Sequence, residues 1–372
     1  MIPLELGGRT ADHLQQAAPR IPGFRMLVGF DGFVDEILRV IDKRLSADEY
    51  LLLETLSDLG NRISQAAGRS TNLELLVERV KLGGNGPIMT GALAALGLSV
   101  TCVGPLGKPT LHPVFAELAE RAELISLGEP AHTDALEFTD GKLMLGKLEP
   151  LHAVTWEALL QAVGPDRLTQ LLTQSSAVAL VNWTMLPFLS DIWEHLLEVL
   201  AASPPPPGER WYFFDLADPE KRDEADLRSA LQQIRRFQAW ARTILGLNEK
   251  EGFQVGYALG YTGGNRRRDD VCAVAAYIQE QLQIDTVVVH PRPYAVVATS
   301  AGLTDVDGSY TDRPRISTGA GDHFNAGFCL GRLLGLPDDE VLTLASGVSG
   351  HYVQTGRSPS IPELADFIRK GG

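Results

Sequence analysis

Cysteine is scarce in this chain, with three in 372 residues. Cys102, Cys272 and Cys329 lie far apart among apolar neighbours, a pattern of reduced core thiols that excludes a disulfide framework and a cysteine-built zinc site. Long apolar runs are missing as well, and none approaches the roughly 20 residues of a membrane-spanning helix. The opening residues Met1-Ile2-Pro3-Leu4-Glu5 show no basic segment followed by an apolar core, so no secretory signal is read and a cytoplasmic protein is expected. Positive charge is in short supply: 33 Lys and Arg against 47 Asp and Glu give a formal charge of −14, which disfavours nucleic acid and anionic membranes as partners. The one dense basic run, Arg266-Arg267-Arg268, passes directly into Asp269-Asp270 and reads as the solvated start of a helix.

What is present is a hydrophobic fraction of 44%, enough for a sizeable core, arranged as short apolar strands alternating with helical patterns. Strands are expected at 24–30, 100–104, 177–181, 211–215, 243–247, 285–290 and 294–298. Such alternation predicts an α/β fold with a mostly parallel sheet flanked by helices, and ligands at the carboxyl ends of the strands. A hairpin is expected over 133–146, because Asp140-Gly141 separates two runs of alternating apolar residues. Residues 46–80, rich in Leu and Glu, read as two amphipathic helices broken at Gly68-Arg69-Ser70. The Pro204–Pro207 run, too short for a domain linker, reads as a stiff exposed loop.

The stretch with the most chemical content is Arg315–Gly327. Gly319 and Gly321 flank a small residue, and an apolar helical pattern through Phe324, Phe328, Leu330, Leu333 and Leu334 follows at once. The amides of Gly319, Ala320 and Gly321 would gather into an anion hole at a helix start, with Asp322 beside it as acceptor of a hydroxyl proton. Taken alone, the tetrapeptide is more commonly a helix cap.

Gly319-Ala320-Gly321-Asp322 followed by Phe324-Asn325-Ala326-Gly327 resembles the C-terminal signature of the ribokinase-like (pfkB-type) carbohydrate kinases. Upstream, Gly83-Gly84-Asn85-Gly86 opens a helix that ends near Ala95-Leu96-Gly97 and resembles the family's N-terminal Gly-Gly signature. The two matches stand in the family's order and spacing.

The resemblance implies a ribokinase-like three-layer sandwich in one domain spanning 1–372, with a small β-sheet lid built from strands near 32–42 and 131–148 and a helical insertion near 46–80. It implies a phosphotransferase moving the γ-phosphoryl of ATP to a hydroxyl of a sugar. Asp322 would be the base, and the amides of Gly319, Ala320 and Gly321 the anion hole. Gly83, Gly84 and Asn85 would contact the substrate, together with an acid after the first strand. Asp35 is that acid by its place before Glu36-Ile37, and Asp31 is the competitor because the segment runs one residue longer than the usual pattern. For Asp31, beside Gly32, a turn aspartate is an equally good reading.

Asn248 and Glu251 match an Asn-x-x-Glu that the family associates with Mg²⁺ and phosphate, probing the metal through water, and Asn325 falls on the nucleotide side. The same tetrapeptide is ordinary helix capping when read by itself. Two departures stand out. His290-Pro291-Arg292-Pro293 replaces a Thr-Leu-Gly-like turn near the nucleotide, and Arg292 there reads as a phosphate contact or as a plain surface arginine. Ile316 occupies a position where many members carry an Asp that helps hold a monovalent cation, so weak K⁺ dependence is expected. A nucleoside kinase of the same fold is the nearest alternative, and a catalytically silent sugar-binding protein is the alternative of a different class. A homodimer through the lid is an assembly the resemblance allows.

Overall fold

The structure is a computed structural model that describes residues 1–204 and 208–372. Of the Pro204–Pro207 run, Pro205–Pro207 lie outside the described residues. Fourteen strands are described. In chain order they are β1 (Arg25–Gly29), β2 (Phe33–Arg44), β3 (Tyr50–Leu52), β4 (Glu74–Gly83), β5 (Ser99–Gly104), β6 (Glu123–Ser126) and β7 (Ala131–Phe138). After them come β8 (Gly141–Lys147), β9 (Ala177–Leu180), β10 (Trp211–Asp215), β11 (Arg242–Leu247), β12 (Thr286–Val289), β13 (Tyr294–Thr299) and β14 (Gly302–Asp307).

Nine of them form one sheet in the order β14-β13-β12-β11-β10-β9-β1-β5-β6. Strands β12 through β6 along that order are parallel, and β13 and β14 close one edge antiparallel. The inner strands are apolar without a break because both faces are covered, as in Ala177-Val178-Ala179-Leu180, where every residue is buried. Alternate side chains enter two separate cores. Leu27, Val178, Phe214 and Leu245 face one, and Met26, Val28, Ala179, Phe213 and Ile244 face the other.

The helices divide accordingly. These are α1 (Leu4–Ala17), α2 (Leu56–Gln65), α3 (Asn85–Ala95), α4 (Ala116–Ala119), α5 (Trp156–Val163), α6 (Pro165–Gln174) and α7 (Leu189–Ala202). The rest are α8 (Glu224–Phe237), α9 (Glu249–Ala258), α10 (Arg268–Leu282), α11 (Ala320–Leu334), α12 (Asp338–Thr355) and α13 (Ile361–Arg369). Helices α5 to α10 pack on the first core; α1, α3, α11, α12 and α13 pack on the second. The result is a three-layer α/β sandwich.

A separate five-stranded sheet joins β3, β2, β7 and β8, with β4 also paired to β2. Here the structure corrects the reading of 46–80 as a helical insertion. Only α2 is helical, and the second half is β4, antiparallel to β2 in a register that sets Phe33 opposite Gly83, Asp35 opposite Lys81 and Ile37 opposite Arg79. Leu and Glu favour helix locally, but tertiary pairing overrides a weak local preference. Leu75, Val77 and Val80 remain exposed on this strand, which is why no clean strand periodicity marks it. The pairing delivers the chain straight into Gly83 and the start of α3. Helix α1, which closes against α13, was not anticipated by the pattern reading.

Candidate active site

The parallel strands end along a common edge, and α3, α9 and α11 begin there. A cavity of about 570 Å³ opens at this edge, walled by Asn85, Asp215, Asn248, Glu251, His290 and Asp322 among others. Another, of about 540 Å³, lies at the opposite ends of β1 and β5, where Arg167 of the wall is already paired with Glu123. The convergent acids and helix starts belong to the first.

Helix α11 starts at Gly319, whose φ of +93° is open to glycine at little cost, and Tyr352 donates its hydroxyl to the preceding Thr318 carbonyl at 3.0 Å. The Ala320 amide makes a turn contact with the Ser317 carbonyl at 3.2 Å. Ala320, Gly321 and Asp322 line the cavity. The Asp322 carboxylate is 8% exposed, and burial, then the charges of Asp215 and Asp31, hold its pKa well above the carboxylate range; a hydrogen bond from the Asn85 side chain opposes the shift. A carboxylate so placed is a strong proton acceptor once ionised, at the positive end of a helix.

The two candidate acids after β1 are sorted by their partners. Asp31 is fully buried and accepts from the Asn85 amide at 2.8 Å, the Gly86 amide at 2.7 Å and Asn182 Nδ2 at 2.7 Å. It therefore caps α3 from the segment between β1 and β2, a task that the helix's own N-cap residue Gly84 cannot perform without a side chain. Burial still pushes its pKa to about 6 against those bonds. Asp35 sits on β2 on the same face as Phe33 and Ile37, between Lys81 of β4 and Thr133 of β7. Lys81 Nζ lies 3.7 Å from its carboxylate, and burial raises its pKa while Lys81 opposes the rise. A Cβ at Gly83 would come within 2.3 Å of Asp35 Oδ1, so glycine there is what lets strand and acid approach.

Asn248 and Glu251 form a capping box on α9: Asn248 Oδ1 accepts from the Glu251 amide at 3.0 Å and Glu251 Oε2 from the Asn248 amide at 2.9 Å. Glu251 Oε1 accepts from the Asp218 amide at 2.9 Å. The capping role and a place in the cavity wall thus coexist. Asn325 is not in that wall. It is buried beneath it, with Nδ2 donating to Asp215 Oδ2 at 2.8 Å, which corrects the expectation that it faces the nucleotide. Three residues past Asp322 on α11, Asn325 shares its helix face about one turn further in, so it meets Asp215 beneath the wall rather than at its surface.

Asp215, at the end of β10, was not singled out from the sequence. Burial and the charge of Glu251 push its pKa to about 8. An acid closing an otherwise apolar strand at the carboxyl edge of a parallel sheet was the available signal. His290 and Arg292 both line the cavity; the His290 ring stacks on Phe324 with centroids 4.5 Å apart, and burial lowers its pKa to about 4. Among the described residues no group of three or more His, Cys, Asp or Glu side chains is gathered to hold a metal, and no helix is long and apolar enough to cross a membrane.

A sandwich of this kind, with a buried acid at a glycine-opened helix and a second sheet carrying another acid opposite, has the architecture of the sugar and nucleoside kinases. Among solved structures, ribokinase from Arabidopsis thaliana, complexed with ribose and ATP, has a TM-score of 0.63 at 14% identity over 92% of this chain and 98% of its own. A putative sugar kinase from Clostridium perfringens has a TM-score of 0.64 at 14% identity, covering 93% and 96%. The family model for prokaryotic ketohexokinase matches residues 8–370. A ketohexokinase from Haloferax volcanii is 31% identical over 368 residues, 98% of this chain and 96% of that protein. The chain belongs to the prokaryotic ketohexokinase family. It is a carbohydrate kinase, an ATP-dependent phosphotransferase with a sugar hydroxyl as acceptor, and neither the nucleoside kinase nor the silent-binder alternative is favoured.

Proposed function

We propose that the acceptor is a ketohexose and that Asp322 is the base that takes the proton from its attacking hydroxyl. The observation that carries the assignment of roles is the Asp322 carboxyl, buried at the start of α11 with its pKa raised and Asn85 as its side-chain partner. The ketohexose follows from the Haloferax volcanii relative.

In this reading Asp35, with Gly83, Gly84 and Asn85, receives the sugar. An ionised carboxylate accepts two hydroxyl hydrogens, while the Asn85 amide both donates and accepts. Asp31 is fully buried with both carboxylate oxygens already accepting from the amides of α3 and from Asn182, and its contribution is to hold Asn85 and Gly86 in place. The amides of Gly319 and Gly321, with that of Ala320 on leaving its 3.2 Å turn contact with the Ser317 carbonyl, receive the oxygens of the transferred phosphoryl, and the helix end adds its partial positive charge. Such transfer is mainly positioning and electrostatics, so the small sheet bearing Asp35 serves as a lid that excludes water.

The residues present fit Mg²⁺. Asp215 and Glu251 share one cavity wall; burial raises both carboxyls, the charge of Glu251 adds to the rise at Asp215 and that of Asp218 to the rise at Glu251, which Lys250 opposes, so a cation there would relieve a crowding of acids. Glu251, Asn248 and Asp215 would hold the ion through water, since both Glu251 oxygens already accept backbone amides. When bound, Mg²⁺ supplies neutralisation of the phosphate charge. A cytoplasmic setting accords with ATP as substrate and with three free cysteines. The exposed Leu75, Val77, Val80, Met144 and Leu145 of the small sheet support a homodimer formed through it.

The test is ATP turnover over a panel of ketohexoses, aldohexoses, sugar acids and nucleosides. A ketohexose should give the highest kcat/KM. An aldohexose or a nucleoside turned over equally well would overturn the acceptor assignment.

A further inference from the structure

His323 follows Asp322 in the first turn of α11 and is buried, yet the scheme above gives it no task. Its ring is fixed by two hydrogen bonds. Nδ1 lies 2.7 Å from the Gly319 carbonyl, which can only accept, so Nδ1 carries the proton; Nε2, 2.8 Å from Ser358 Oγ, accepts from that hydroxyl. The imidazole also stacks on the ring of Tyr352, with centroids 3.6 Å and planes 13° apart. Tyr352 in turn holds the Thr318 carbonyl.

Two successive carbonyls of the turn are therefore held by the side chains of one stacked pair, that of Gly319 in addition to the helical bond it accepts from the His323 amide at 3.1 Å. In a planar trans peptide the N–H points opposite to the C=O. Fixing the oxygens of Thr318 and Gly319 turns the N–H groups of Gly319 and Ala320 away from Tyr352 and His323. The glycine that permits this turn has no side chain to fix it, so the order must come from elsewhere. Ser358, in the loop between α12 and α13, extends the tie to the C-terminal helices.

We propose that His323 and Tyr352 are positioning residues that pre-organise the phosphoryl-binding turn, with Ser358 setting the His323 tautomer. The proposal rests on the reading of that turn as the seat of the γ-phosphoryl. Neither side chain touches the reacting atoms. Their effect is to remove the cost of ordering the turn at the moment of transfer, so it falls on kcat rather than on sugar binding.

Three single variants, one double variant and one spectrum test it. His323→Phe keeps a ring on Tyr352 but loses both hydrogen bonds, Tyr352→Phe loses only the hydroxyl, and Ser358→Ala loses only the tautomer-setting donor. The first two should lower kcat about 10-fold or more with the sugar KM within about twofold and the melting temperature near wild type. Ser358→Ala should give a smaller loss in the same direction. The double variant His323→Phe/Tyr352→Phe should lose less than the product of the single losses, because both hold one turn. In the wild-type protein, ¹⁵N spectra of labelled histidine should show His323 as the Nδ1–H tautomer. Turnover within about twofold of wild type in both single variants, losses that multiply in the double variant, a sugar KM that rises as kcat falls, or an Nε2–H tautomer would each overturn the proposal. Should His323→Phe fail to fold, Tyr352→Phe and the tautomer carry the test. Asp322→Asn separates the two levels. Near-normal turnover in that variant defeats the reading of the turn itself, whereas an inactive Asp322→Asn beside a fully active His323→Phe defeats only the positioning role.

Discussion

Asp31 and Asp35 lie four residues apart and have different partners, and the proposed mechanism gives them opposite tasks for that reason. In the proposed mechanism removing the Asp35 side chain takes an acceptor from the sugar, and on the protein only the ion-pair partner of Lys81 and the bond to Thr133, so Asp35→Ala should raise the sugar KM about 10-fold or more while leaving the ATP KM near wild type. Asp31→Ala leaves two helix amides and Asn182 without their acceptor, and should cost roughly 2–4 kcal/mol of stability with a smaller effect on the sugar KM. Steady-state kinetics and thermal melts of both variants decide this, and the reverse pattern would give Asp31 the substrate role. Asp215 adds a pH signature. Its folded pKa of about 8 exceeds the unfolded value of 3.8, so between these pH values the folded enzyme holds a proton that the unfolded chain has released. Stability from this group is full below the unfolded value and is lost as pH rises through the folded one. Asn cannot ionise, so Asp215→Asn in the ligand-free enzyme with chelator should melt above wild type at pH 8, with the gap shrinking at pH 5. Equal gaps at the two pH values would show that Asp215 carries no such shift.

At the scale of elements, the active site is a meeting of helix starts. Helices α3, α9 and α11 each expose first-turn amides at the carboxyl edge of the sheet, and each is satisfied differently: α3 by Asp31 from the β1–β2 connection, α9 by its own capping box, α11 by no side-chain cap. The uncapped start is the one that faces the phosphoryl in the proposed mechanism. The loop leading into α11 is tied to α12 by Arg315 and Ile316 amides that donate to the Val353 carbonyl, at 2.9 and 3.3 Å. With Ile316 offering no side-chain oxygen, this loop is held by backbone bonds. Replacing Na⁺ with K⁺ at constant ionic strength should therefore change turnover little. A large activation by K⁺ would mean that backbone carbonyls alone build a cation site there.

The whole molecule is two sheets meeting at a cleft. In the proposed mechanism the large sheet supplies the phosphoryl end, through α11 and the ends of β10 and β11, and the small sheet supplies Asp35. Because β4 belongs to the small sheet and runs directly into Gly83, any movement of that sheet bears on the start of α3 as well. The exposed apolar side chains of β4 and β8 give the assembly prediction: light scattering on the purified enzyme should return twice the chain mass, and Val77→Glu with Leu145→Glu should return it to one. A monomer in the unmodified protein would leave the lid as a one-chain device.

The layered fold was legible in the sequence because its cause is local. Apolar runs such as Ala177–Leu180 and Trp211–Phe214 can be buried on both faces only inside a covered parallel sheet, and the glycines at 319 and 321 mark a turn into a helix wherever they occur. Partner choice is another matter. Asp31 meets α3 across 54 residues, Asn325 meets Asp215 across 110, and His323 meets Ser358 across 35. Residues 74–83 became a strand because β2 stood ready to pair with them, against their own helical composition. Sequence by itself determined the elements whose reasons lie within a few residues, together with the two glycine signatures. Tertiary structure alone decided that Asp31 is spent on a helix while Asp35 stays beside Lys81 on the small sheet, because hydrogen bonds between buried groups are settled by segments that meet only after the chain has folded.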